Sequence, residues 1–84
     1  MRDHIYKLPL VLSPQPEGGY TVTCPLLPEL LTEGDTTDEV LANVRDALAG
    51  VLELYKDLNR SLPASLQQPL DDSPVWFETL VGAP

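Results

Sequence analysis

Thirteen Asp and Glu side chains against five Lys and Arg, with a single His and a single Cys, are the groups this 84-residue chain has for chemistry. Glu29, Glu33 and Asp35 fall close together, and Asp71 adjoins Asp72. Grouped carboxylates can grip divalent ions for phosphoryl transfer, but two-metal sites draw their ligands from several elements at fixed geometry. The segments that read as strands carry almost no acids, Glu78 alone lying inside one and Glu33 only ending another. The acids therefore read as a solvated surface, and neither a metal nor a cofactor is expected. His4 stands alone, and Ser13, Ser61, Ser65 and Ser73 all fall in turns or loops, so no nucleophile and base are written at a recognisable spacing. Cys24 has no adjoining cation to activate its thiol and reads as a small buried hydrophobe. Gly18 and Gly19 match no phosphate-binding pattern and precede a strand, not a helix. The side chains thus point to binding, not to catalysis.

The elements that must hold these groups can be read from hydrophobic spacing. From Ile5 to Leu12 the residues Tyr6, Leu8, Leu10 and Leu12 alternate with Ile5, Lys7, Pro9 and Val11, the period of a strand. Pro9 has no N–H for a ladder and marks an edge or a bulge. Gly18 and Gly19 supply a hairpin turn. Tyr20–Cys24 is a second strand of β-branched and aromatic residues, and Leu30–Glu33, after a connection bounded by Pro25 and Pro28, reads as a short third. Gly34 and Asp35 turn the chain into a helix over Thr37 to about Asn59. Its start carries a capping box, Thr36 with Glu39, and Val40, Leu41, Val44, Leu48, Val51, Leu52, Tyr55 and Leu58 form one apolar face. Gly50 lies inside it, either exposed at some cost or admitting another backbone. Residues 61–74 read as a Pro-rich loop with one helical turn near Ala64–Gln67, and Val75–Val81 as a fourth strand.

The expected fold is therefore α+β over a single domain, 1–84: a three-stranded antiparallel meander plus a fourth strand, with one long helix on one face. A helix of about 23 residues spans roughly 35 Å, against roughly 17–26 Å for the strands, so it should overhang the sheet. One helix covers one sheet face, yet the first and last strands are apolar on both. Ile5, Val11, Trp76, Leu80 and Tyr55 are accordingly expected at an interface between copies, a homodimer or homotetramer.

A net charge of −8 disfavours nucleic acid as a direct ligand, since duplex binding is driven by Lys and Arg on phosphates. It suits a basic protein partner. One cysteine leaves no disulfide framework, and Leu8–Leu12 is too short for a signal peptide and is broken by Pro9. Nothing approaches the roughly 18 apolar residues of a membrane span. A cytoplasmic location and no membrane contact are expected.

The run PEGGYTVTCPLLPELLTEGDTTDEVLANVRDAL resembles the HicB-like antitoxin family, whose pattern is an apolar strand, a Glu/Gly turn, a Thr/Val strand, a P-x-L-P segment, E-G-D-T and a long amphipathic helix. The resemblance covers Ile5 to about Leu58. It implies a partial RNase H-like fold without that fold's nuclease carboxylates, and a protein that neutralises a small basic mRNA-cleaving toxin, of HicA type, by covering its catalytic surface. Leu26, Leu27, Glu29, Glu33 and Asp35 are the expected contact residues. Pro28-Glu29-Leu30 stands where the family commonly has Pro-Gly-Cys. After Leu58 no DNA-binding module fits, so autoregulation by this chain alone is not expected. The rival readings are a freestanding oligomeric scaffold or regulator and a cryptic RNase H-like metal-dependent nuclease.

Overall fold

A computed structural model describes residues 5–69, 71–81 and 83 of the chain; His4 lies outside them. The backbone forms β1 (Ile5–Tyr6), β2 (Val11–Pro14), β3 (Tyr20–Cys24), β4 (Leu27–Gly34), α1 (Thr37–Asp57), a 3₁₀ turn (Ala64–Leu66) and β5 (Gln67–Gln68). β2, β3 and β4 make an antiparallel sheet in that order, and β1 pairs antiparallel with β5. This is the expected α+β arrangement, with two local differences.

The first expected strand is divided at Pro9. Residues 7–10 lie outside both ladders, and the Lys7 N–H donates instead to the Leu66 carbonyl at 2.8 Å. The second difference is the strand expected at Val75–Val81: that segment has no ladder partner, and the extra strand is Gln67–Gln68. Pairing needs a free edge within reach as well as alternation, and the short edge of β1 is taken by the stretch that the 3₁₀ turn delivers to it.

The hairpin between β2 and β3 depends on glycine. Gly18 and Gly19 hold φ of 102° and 77°, which other residues adopt at a cost. A Cβ on Gly19 would also lie 2.7 Å from Asp35 Oδ1. β4 is longer than the sequence suggests, because Pro25 and Leu26 suffice to turn the chain; a bulge at Thr23/Cys24 absorbs the offset and sets Cys24 opposite Leu27.

Helix α1 starts as its capping residues require. Thr36 is extended, and its hydroxyl accepts the Glu39 N–H at 3.1 Å, while the Glu39 carboxylate accepts the Asp35 N–H at 3.3 Å. The helix ends in a Schellman turn: Arg60 N–H donates to Tyr55 O at 2.8 Å and Asn59 N–H to Lys56 O at 3.1 Å, with Asn59 left-handed at φ 54°. It runs antiparallel to β4. Gly34 meets Val40 at one end, and Glu29 meets Tyr55 at the other. The expected overhang thus shrinks to about the last turn, where Leu58 is exposed.

Between helix and sheet lies the core: Val22, Cys24, Leu27, Leu30, Val40, Val44, Val51, Tyr55 and Leu66, with Leu8, Leu10, Leu12, Tyr20 and Leu48 packed around it. Leu66, 1% exposed, is the plug supplied by the chain beyond the helix. Gly34 lets β4 touch the helix backbone, since a Cβ there would sit 2.8 Å from Val40 N. Gly50, by contrast, faces open space, so no second backbone approaches it among the described residues.

Candidate partner-binding surface

The acids expected to act together are distributed along β4 and beyond it. Glu29 and Glu33 belong to the strand, not to a loop, and lie four residues apart, Glu29 inside the register shift between Leu27 and Leu31. Only Asp35 lies in the turn before the helix. Among the described residues no three His, Cys, Asp or Glu side chains gather closely enough to hold a metal ion.

Each of the three acids has its own employment. Glu29 lies on the helix side: Tyr55 Oη donates to its Oε2 at 2.8 Å, Arg60 Nη1 approaches Oε1 at 3.3 Å, and the Arg60 guanidinium stacks on the Tyr55 ring, 4.6 Å from its centroid. The Schellman turn brings Arg60 back into this position. The Tyr55 hydroxyl, the local backbone N–H and Arg60 together hold the Glu29 carboxyl below its ordinary range, and the carboxylate in turn pushes the Tyr55 hydroxyl up. Glu33 lies on the opposite side. Gln15 Nε2 donates to its carboxylate at 3.3 Å and to Thr21 Oγ1 at 2.7 Å, while Asn43 Nδ2 caps the Glu33 carbonyl at 2.6 Å. Asp35 is exposed beside Gly19 at the start of the helix.

The sheet face away from the helix follows from the register. Val11, Thr23 and Leu31 align across β2, β3 and β4, and Ser13, Thr21 and Glu33 form the next row. Leu31 is 65% exposed at the centre of the β4 edge, with Glu33 two residues on. Leu26, at the tip of the β3–β4 turn, is also exposed. Glu17, Asp38, Asp46, Glu53, Asp57 and Asp72 are exposed elsewhere on the described surface, four of them on the helix.

Two residues chosen from sequence are not on this surface. Leu27, expected to touch a partner, is wholly buried, because the bulge turns it into the sheet–helix core. Tyr55, expected between copies, is 4% exposed, its ring packed under Arg60 and its hydroxyl spent on Glu29. Ile5, Val11, Trp76 and Leu80 are all exposed. Sequence reasoning missed Leu31, although the alternation of Leu30 with Leu31 places one of them outside. It also missed Arg60, whose position depends on the left-handed Asn59.

No family model matches the chain. It is 44% identical over 57 residues to Antitoxin HicB 1 of Photorhabdus laumondii, which covers 68% of this chain and 37% of that protein. It is 36% identical over 72 residues to Antitoxin HicB of Escherichia coli, covering 86% of this chain and 51% of the relative. A UPF0150 protein of Thermoplasma acidophilum is 32% identical over 57 residues, 68% of this chain and 83% of that protein. The chain therefore spans between about a third and a half of the length of the two antitoxins. With this similarity lying over most of its length, and with the meander, turn and long helix in the expected order, the chain belongs to the HicB-like antitoxin family.

Proposed function

We propose that the chain is a non-enzymatic, antitoxin-type binding module that neutralises a small basic mRNA-cleaving toxin by protein–protein contact and associates with itself. Leu26, Glu33 and Asp35, joined by Leu31, form the surface offered to the toxin. Glu29 contributes charge at its margin while remaining tied to Tyr55 and Arg60. The observation that carries the reading is the combination of an acidic exterior with apolar points at Leu26 and Leu31. Opposite potentials speed encounter and fix orientation, while the apolar points supply contact area. Ile5, Val11, Trp76 and Leu80 are the surface for self-association, and the module acts in the cytoplasm.

Co-expression with whatever small basic protein is encoded beside its gene tests this, and the absence of such a neighbour counts against it. The expected result is a complex that co-purifies at low salt, weakens as salt is raised, and is weakened further by Glu33→Lys with Leu31→Ser. Absence of any complex at physiological salt, or a complex insensitive to both salt and these substitutions, would remove the antitoxin reading. A nuclease reading gains nothing from carboxylates distributed along β4 with Glu29 committed to Tyr55 and Arg60.

A further inference from the structure

The stretch 75–81 is the most apolar exposed part of the molecule. Trp76, Phe77, Leu80 and Val81 are exposed by 81%, 79%, 62% and 80%, an exposure that monomers rarely carry over a contiguous patch. The segment follows residues 6–12 without a strand ladder. Two clefts remain along it. One, of about 360 Å³, lies between Leu8, Leu10, Leu12, Leu41 and Leu80. The other, of about 590 Å³, lies between Tyr6, Pro9, Leu26, Trp76 and Phe77. Packed interiors leave few voids larger than a water molecule, so the segment stands beside its groove without filling it. On the opposite wall, residues 8–10 fall in the gap between β1 and β2, outside both ladders. Groove and segment thus lack what the other offers: apolar cover and backbone partners.

We propose that this groove is closed by residues 75–81 of a second copy of the chain, laid in reciprocally about a two-fold axis while each copy's own segment keeps its place on the other wall. Trp76, Phe77 and Leu80 of each protomer then fill the clefts of its partner. The proposal rests on the self-association in the reading above and names the surface. The area suffices for a stable dimer. Four aromatic rings bury about 150–250 Å² each, and with the groove they cover the total is on the order of 1,200–2,000 Å², the range of specific interfaces. An isologous contact of this kind closes on itself and does not propagate. Each copy carries −8, so charge opposes the dimer and apolar contact must hold it. Salt, which screens that repulsion, strengthens the dimer, whereas it weakens a complex with a basic toxin.

The test is light scattering after size exclusion, from low to high micromolar chain and at low and high salt, together with the emission of Trp76, the chain's single tryptophan. The expected result is a mass that doubles with concentration, sooner at high salt, accompanied by a blue shift of the emission. The Phe77→Ser/Leu80→Ser double variant keeps the reporter and alters exposed residues only. It stays monomeric and red-shifted at every concentration, with an unchanged helical circular dichroism spectrum. A monomeric wild-type chain throughout overturns the proposal, as does a blue-shifted emission independent of concentration, which would mean that the segment closes on its own chain. A dimer that survives the double substitution overturns it too. Toxin binding by a chain that stays monomeric would sink the dimer proposal alone; a salt-strengthened dimer without toxin binding would sink the antitoxin reading alone.

Discussion

Gly50 and Gly34 respond in opposite directions to the same substitution, and the structure gives both signs. Gly50 is exposed in the middle of α1, where a Cβ meets nothing within 4 Å. Gly50→Ala therefore gains helix propensity without strain, worth about 0.8–1 kcal/mol, part of it through a less disordered unfolded chain. In a domain of this size that is a rise in Tm of about 4–8 °C. Gly34→Ala places a Cβ 2.8 Å from Val40 N and 2.9 Å from Val40 Cγ2, where the obstacle is the first turn of the helix. Relief requires β4 and α1 to part, a cost of about 1–3 kcal/mol. Urea and thermal unfolding followed by circular dichroism read both, at a chain concentration low enough to keep the protein monomeric. The midpoints should move apart with the urea slope unchanged, the mark of altered stability and not of an altered unfolded state. A Gly50→Ala variant that loses stability would refute the reasoning, because it would mean that some surface lies against that position. A neutral Gly34→Ala would refute the close contact of strand and helix.

Four further outcomes follow from the packing. Leu66→Ala removes the plug contributed from beyond the helix and should cost about 2–5 kcal/mol in urea unfolding, a large share of the stability of so small a domain. Thr36→Ala should cost about 1 kcal/mol, because the Glu39 N–H loses its partner. Glu29 is held below its ordinary value of 4.5 when folded, so its contribution to stability is complete above that value and is lost as the pH falls through the folded one. Acid unfolding monitored by circular dichroism should show this as a fall in stability below pH 4.5 that is shallower in Tyr55→Phe; an unchanged acid profile in that variant would show that Tyr55 is not the cause. Cys24, 2% exposed, should resist thiol reagents in the native protein and react only on unfolding.

The helix and its cap were legible because both signals are local: apolar residues at three and four, and Thr36 three residues before Glu39. β3 was legible for the same reason, from alternation between a glycine turn and a proline. What failed depends on partners distant in sequence. Val75–Val81 alternates as a strand should, but the β1 edge is taken by Gln67–Gln68, two polar residues with no strand signal of their own. The two prolines around Leu27 suggested an open connection, whereas a tight turn and a bulge bury that side chain. Tyr55 was correctly placed on the apolar face of the helix, but the expected overhang put it at an interface, and only the return of Arg60 through a left-handed Asn59 shows why it is enclosed. The acidic residues were visible as a group in sequence. Their division between the two sides of β4 follows from the bulge and from the approach of α1, which composition does not encode.

Titrating this chain into an RNA-cleavage assay of the adjacent basic protein tests the central claim most directly, because it separates a protein that blocks from one that cuts. Cleavage should fall in proportion to added chain and stop at a fixed stoichiometric ratio, with no cleavage by the chain alone at any concentration of magnesium or manganese. Undiminished cleavage at excess chain, or metal-dependent cleavage by the chain itself, would contradict the account.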